Sequence, residues 1–356
     1  MRRSSLAPLA LLLLLTTPAA RAQLPVFTSD DATLGIGGLL QVQGEGGDRG
    51  DERFTDDKDR IYLRRARINA SGVLLKEFDY RVELDLAGSL SNVTGLRAQL
   101  TDGYVTWKRF PVAMFRAGQF KTPYGFEQLY SDARLFTIER TLASDRLTQS
   151  RQVGAMVLGE LPGQVLTWSA GAFNGSGQNN NFNDNDAFLW VGRVAATPWR
   201  GKIAEKDASV SVGVDGFTSR DTSVTVPSES GLGSSFAGHR RSWGADTQLH
   251  AGPVDVWAEY FRTIFEPSSE KPAAKFRASG WYVLGAVYFL PRAQAVVRYD
   301  AFDPSDLVAG NTRRTWTVGA NYLLKTFLKF QFDYMRVKVP GSGGQHKLLA
   351  RLQAQI

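Results

Sequence analysis

Five side chains carry the chemistry that this sequence offers: Arg64, Arg65, Asp102, Lys121 and Arg140. None belongs to a catalytic or metal-binding pattern. His239, His250 and His346 are scattered without metal-ligand spacing, Cys is absent, and no Gly-x-Ser-x-Gly occurs. No cofactor is expected, and no enzyme. Guanidinium and ammonium groups fixed where walls are close and the dielectric is low instead attract anions, because such a site focuses the field. Rings of Arg or Lys form anion and phosphate filters, and the planar fork of Arg makes paired hydrogen bonds to phosphate.

Two of the five lie in or beside Gly118 to Gly154, GQFKTPYGFEQLYSDARLFTIERTLASDRLTQSRQVG, the longest break between two strand-like segments. The stretch interleaves Lys121, Arg134, Arg140, Arg146 and Arg151 with Glu127, Asp132, Glu139 and Asp145. Between the charges stand Phe120, Tyr124, Phe126, Leu129, Tyr130, Leu135, Phe136 and Ile138. A loop this long and this apolar packs on something. It is expected to fold into the mouth of a β-barrel and narrow it over 118–151. Asp132 to Leu142 reads as a short helix, with Ser131 as N-cap.

The elements that must position these groups are strands. In Phe78 to Leu86 every even position is apolar and every odd one charged, the period of a strand with one apolar and one polar face. The period recurs at Leu328–Tyr334, Thr315–Tyr322, Trp243–His250 and Leu166–Ala172. About 16 such segments follow along the chain, each near the roughly 9–11 residues of a tilted membrane strand. They lie near 34–43, 60–71, 77–87, 96–108, 112–121, 151–159, 164–173, 187–197, 207–216, 240–251, 254–264, 278–290, 293–303, 312–323, 327–338 and 346–356. Short connections at 109–111, 161–163, 252–253 and 291–292 alternate with long polar ones at 44–59, 122–150, 174–186, 217–239 and 265–277. That asymmetry belongs to outer-membrane barrels. The expected fold is all-β: a 16-stranded antiparallel transmembrane β-barrel with an inward-folded constriction loop. Trp168, Trp190, Trp243, Trp257, Trp281 and Trp316 are read as aromatic girdles at the two interfaces.

Residues 1–22 read as a secretory signal peptide: Arg2 and Arg3, an apolar run from Leu6 to Leu15, and a small-x-small site at Ala20-Arg21-Ala22. The barrel domain is then 23–356. The signal holds three Arg and no acid, so the net charge of +7 falls to +4, too mild and too dispersed for a nucleic-acid binder. No apolar run is long enough for a helical membrane span.

Period two along Ile61, Leu63 and Arg65 turns Arg64 toward the lumen, and a bulge would bring in both arginines. Salt bridges to the wall acids Asp79, Glu83 and Asp85 are the structural alternative for these arginines. The 44–59 loop holds Glu45, Asp48, Asp51, Glu52, Asp56, Asp57 and Asp59 against Arg49, Arg53 and Lys58 and is expected to be solvated. An acidic entrance of that kind works against multivalent anions over a Debye length. Asn179 to Asn185 reads as a loop tip.

Several runs resemble the phosphate-selective porin O and P family: Arg64-Arg65-Ala66-Arg67, Phe78 to Asp85, Asp102-Gly103-Tyr104-Val105, Gly118 to Leu129 and Ile138-Glu139-Arg140. Ala170 to Gly175, Gly280 to Val283 and Val318 to Tyr322 extend the likeness over the mature chain. The resemblance implies a 16-stranded outer-membrane channel, a homotrimer, with the third long loop bent into the pore. It also implies anion guidance by an arginine ladder, and the motif positions present here are Arg64, Arg65, Asp102, Lys121 and Arg140. Small inorganic anions, outer-membrane lipid and lipopolysaccharide are the expected partners, in the outer membrane of a Gram-negative bacterium. The alternatives are a general or cation-preferring porin, a secreted β-rich binding protein, and a barrel enzyme, which would need a Ser–His pair at the outer rim.

Overall fold

The computed structural model describes residues 23–356 except 52, 55–58, 88–95, 227–234, 269–273, 325–326, 339–340 and 342. The expected signal peptide, 1–22, lies outside the described residues, as do Glu52, Asp56, Asp57 and Lys58 of the acidic loop.

Seventeen strands are present among the described residues. They are β1 (Gln23–Thr28), β2 (Thr33–Gly47), β3 (Arg60–Leu74), β4 (Phe78–Asp85), β5 (Gln99–Trp107) and β6 (Met114–Lys121). Next come β7 (Arg151–Glu160), β8 (Leu166–Phe173), β9 (Leu189–Ile203), β10 (Lys206–Thr225), β11 (Ser235–Ala251) and β12 (Val254–Pro267). The last are β13 (Phe276–Leu290), β14 (Ala293–Asp303), β15 (Arg313–Leu324), β16 (Leu328–Lys338) and β17 (Gly344–Gln355). Each strand from β2 to β16 pairs antiparallel with the next. The final strand, β17, pairs back onto β2, so a 16-stranded barrel closes with no free edge.

The alternation sets which face is which. On β16, Phe330, Phe332 and Tyr334 are exposed on the outer surface while Gln331 and Asp333 are buried inside. On β4, Val82 and Leu84 face out, and Glu83 and Asp85 face in. In hydrocarbon no water serves an unpaired peptide group, so a closed ladder with an apolar exterior is the stable way for strands to cross. Trp190, Trp243, Trp281 and Trp316 stand on the outer face.

Three expectations are corrected. First, β1 was not foreseen: it lies against β2 from Gly37 to Thr33, directly beyond the end of β17, where Gly38 N donates to Ile356 O at 2.9 Å. Six residues broken by Pro25 carry too little alternation to reveal it. Second, β10 and β11 run far into the expected 217–239 loop, pairing Phe217 with Ser242 and Val224 with Phe236. The Thr and Val of 218–225 are good strand formers, and Phe217, Ser219 and Asp221 keep the inward period. Third, the acidic 44–59 loop is not simply solvated. Phe54 is buried with Ile138, Met335, Val337 and Leu349, and Asp51 is buried against Arg53 at 2.6 Å.

Candidate functional site

Residues 122–150 leave the wall between β6 and β7 through a neck closed by Thr122 N donating to Ser150 O at 2.9 Å. Two short helices form, α1 (Phe126–Leu129) and α2 (Leu142–Leu147). The hydroxyl of Thr141 caps α2 by accepting from Ser144 N at 3.2 Å. The helix expected at Asp132–Leu142 is absent, because that stretch spends its backbone on the barrel wall. Gln353 Nε2 donates to Ala133 O at 3.0 Å, Lys329 Nζ to Leu135 O at 2.6 Å, and Asn321 Nδ2 to Phe136 O at 2.8 Å. Ile138 N donates to Asp333 Oδ2 at 2.6 Å, and Arg298 Nη1 to Glu139 O at 2.8 Å. A helix needs those same peptide groups for itself.

The segment therefore touches the inner, polar faces of strands far from its own. At its start Gly125 N donates to Asp215 at 3.0 Å, and the Phe126 and Glu127 amides both donate to Glu259. Apolar packing fixes the same end. Tyr124 meets Phe217 with centroids 4.9 Å apart, and Phe126, Tyr130 and Phe136 surround Trp257 at 4.9, 4.6 and 4.4 Å. Trp257, expected in a girdle, is thus a correction: it sits on the odd-numbered, lumen-facing side of β12 and is buried under the loop.

The five sequence-selected residues divide into two groups. Both Arg64 and Arg65 face the lumen. The register places Arg65 opposite Gln41 and Leu63 opposite Val42, so Arg64 is the extra residue of a β-bulge. Arg64 binds Glu139 through Nε at 2.9 Å and Nη2 at 3.1 Å, while Arg65 is the more buried, 3.3 Å from Asp132. Asp102 is held by Arg151 at 2.8 Å. Lys121 and Arg140, by contrast, are fasteners of the loop. Lys121 Nζ donates to Gln128 O at 2.6 Å and Tyr130 O at 3.1 Å. Arg140 donates to Glu127 O and Tyr130 O, both at 2.9 Å, and meets Asp132 at 2.6 Å.

Residues not selected from sequence complete the network. Arg67 reaches Asp132 at 2.7 Å and Asp85 at 2.9 Å, Arg351 reaches Glu139 at 2.9 Å, and Arg81 bonds Glu83. Arg298, fully buried, touches Thr137 Oγ1 at 2.7 Å. Alternation marks Arg81, Arg298 and Arg351 as inward, but the loop partners of Arg67, Arg298 and Arg351 lie 65, 161 and 212 residues away. Burial pushes the Asp132 carboxyl up, yet Arg140, Arg65 and Arg67 together hold it well below the usual carboxylate range. Burial likewise opposes ionisation of Glu139, and Arg64 and Arg351 overcome it, so its pKa is also held well down.

Seven arginines (Arg64, Arg65, Arg67, Arg81, Arg140, Arg151, Arg351) thus meet five carboxylates (Glu83, Asp85, Asp102, Asp132, Glu139), a surplus of two positive charges. On the far wall Asp215 and Asp246 share Arg193 at 2.5 and 2.7 Å.

A closed 16-strand barrel, apolar outside and charged inside, defines an outer-membrane channel of the porin class. The sequence matches the family of phosphate-selective porins O and P over residues 36–356, and the chain belongs to that family. No curated protein matches it by sequence. Among solved structures it is similar to the outer-membrane channel DcaP of Acinetobacter baumannii, at 13% identity and a TM-score of 0.64, covering 94% of this chain and 100% of that one. The anion-selective porin from Comamonas acidovorans aligns at 12% identity and TM-score 0.64, covering 92% of this chain and 100% of that one. The trimer form of OmpT from Vibrio cholerae aligns at 11% identity and TM-score 0.64, with the same coverage of 92% and 100%.

Proposed function

We propose that this porin passes small hydrophilic solutes by diffusion, with a bias toward anions of the phosphate type, and that 118–151 is its constriction. One observation carries the reading. In the Arg64–Glu139 pair the base is the open partner, its side chain 31% exposed against 7% for the acid. The far-wall acids Asp215 and Asp246 are closed off at 1% each, beneath the loop and Arg193. At this pair a passing solute therefore meets guanidinium before carboxylate, although at Arg53–Asp145 the acid is the more open partner, 32% against 14%. In a narrow lumen that sign sets the local ion concentration. Arg64 rather than Lys121 or Arg140 supplies the positive potential, because the latter two are occupied by loop carbonyls and Asp132.

Membership in the porin family and the likeness to a trimeric neighbour support a homotrimer in the outer membrane of a Gram-negative bacterium, delivered there by residues 1–22 as a signal peptide. The test is the reversal potential of the purified protein in a planar bilayer under a KCl gradient. A chloride-side potential that shrinks in Arg64→Gln is the expected result. A cation-side potential keeps the porin and removes the anion bias.

A further inference from the structure

Apolar side chains interrupt the polar interior in several places, among them the inner faces of β5 to β7, where Tyr104, Met114, Phe120, Met156 and Leu158 stand. Strand register stacks them in rungs. Leu158 is opposite Met114 and Ser169, and Met156 is opposite Arg116 and Gly171. Phe173 lies over two glycines on this face. A Cβ on Gly154 would come 2.6 Å from its ring, and one on Gly171 would come 2.9 Å from it, so neither position admits a side chain. The result is a recess of about 400 Å³ beside the neck of the loop, bordered there by Pro123 and Leu129.

Three cations among the described residues line this recess, and Arg116 differs from Lys121, held by loop carbonyls, and from Arg193, held by Asp215 and Asp246. The Nε of Arg116 donates to Thr106 Oγ1 at 2.9 Å, and its guanidinium carbon lies 4.2 Å above the ring of Tyr104 and 5.5 Å from that of Phe120. No carboxylate lies within ion-pair distance of it among the described residues. The two acids that line the recess are engaged elsewhere: Asp102 by Arg151 at 2.8 Å, and Glu160 by the amide of Gln164 at 3.0 Å. A half-exposed arginine held on an aromatic ring, its outer nitrogens free and apolar side chains beside it, is built for an anion with an apolar body. Inorganic phosphate has no use for Met114, Met156 and Leu158.

We propose that this recess is a lumenal binding site for small aromatic carboxylates, the carboxylate on Arg116 and the ring against Tyr104, Met156 and Leu158. The proposal rests on the reading of the chain as an anion-biased porin and narrows its solutes. It is tested with the full-length protein in planar bilayers, recording single-channel current while benzoate, acetate, benzamide or inorganic phosphate is added. Benzoate is expected to reduce the current at a concentration about tenfold or more below acetate, benzamide or phosphate, the weight of one charge-assisted contact joined to apolar burial. Arg116→Gln and, independently, Leu158→Asn each raise the half-blocking concentration of benzoate about tenfold. Arg116→Lys, which keeps the charge, retains part of the block. Equal block by benzoate and acetate in the unmodified channel overturns the proposal, as does benzoate block that survives Arg116→Gln. The reversal potential of the same membrane separates the two readings. Chloride-side potential without selective benzoate block removes the recess and keeps the bias. Selective block with a cation-side potential does the opposite.

Discussion

Arg64 grips Glu139 by both carboxylate oxygens, and it does so from the one position between Arg60 and Ser71 of β3 that has no partner on β2. The bulge shifts the inward set from Arg60, Tyr62 and Arg64 to Arg65, Arg67 and Asn69. It thereby places three arginines of one short motif on the lumenal side, where a regular strand would send one of them into lipid.

Position, rather than charge alone, then separates the arginines and lysines of the site. Arg64→Gln removes the open charge, so the reversal potential under a KCl gradient is expected to move toward zero with little change in thermal stability. Lys121→Met removes the ammonium that gathers the Gln128 and Tyr130 carbonyls, leaving that of Gln128 without its donor and that of Tyr130 with Arg140 alone. Its expected signature is current noise and a lower melting temperature, with a smaller movement of the reversal potential than Arg64→Gln. The reverse ranking would return Lys121 to the ion path.

Acid should leave the loop in place for longer than free carboxylates would. The pKa values of Asp132 and Glu139 are held well below their ordinary 3.8 and 4.5. A depressed pKa adds stability that is full above the ordinary value and is lost as pH falls through the folded one. Channel noise is therefore expected to stay flat as pH drops to about 4, the ordinary carboxylate range, and to rise only below it. In Glu139→Gln the noise should already be high at neutral pH, because Arg351 and Arg64 lose their shared acid. A rise near pH 6 in the unmodified channel would assign the closure to other groups.

The barrel was legible because its signal is local: each strand announces itself within about ten residues by its own alternation. All sixteen barrel strands lie where that period puts them, with the largest gains at β10 and β11. The interior was legible only as a list of inward residues. Nothing near Arg298 in sequence points to Thr137, and nothing near Trp257 separates a girdle tryptophan from one that turns inward under a loop. The loop itself showed its apolar content but not its conformation, since Asp132–Leu142 trades helical hydrogen bonds for contacts with five wall side chains on four strands.

Trp257 is the apolar counterpart of that wall. With Phe126, Tyr130 and Phe136 packed on it, Trp257→Ala is expected to weaken loop docking by about 3–5 kcal/mol, the usual cost of emptying a buried aromatic site. The barrel ladder does not pass through this side chain, so the folded, heat-modifiable form should persist on a gel. Limited proteolysis should then cut within 126–136, and the unit conductance should rise. A variant with intact proteolytic resistance and unchanged conductance would show that the hydrogen bonds alone seat the loop.

Arg298 offers the sharpest separation between charge and packing. It is 1% exposed, donates to Thr137 Oγ1 and Glu139 O, and lies 3.5 Å from Glu127 and 3.3 Å from Asp300. Arg298→Met keeps the volume but strands two buried carboxylates and a loop carbonyl. Removing one partner of such a buried pair costs about 3–5 kcal/mol, more than the pair itself contributes. Unfolding in detergent at neutral pH should show that loss. Arg298→Lys restores the charge but not the fork that spans loop and wall, so it should recover stability at neutral pH only in part. An Arg298→Met protein as stable as the unmodified one would mean that the side chain acts through shape, and that the carboxylates of Glu127 and Asp300 are content without it.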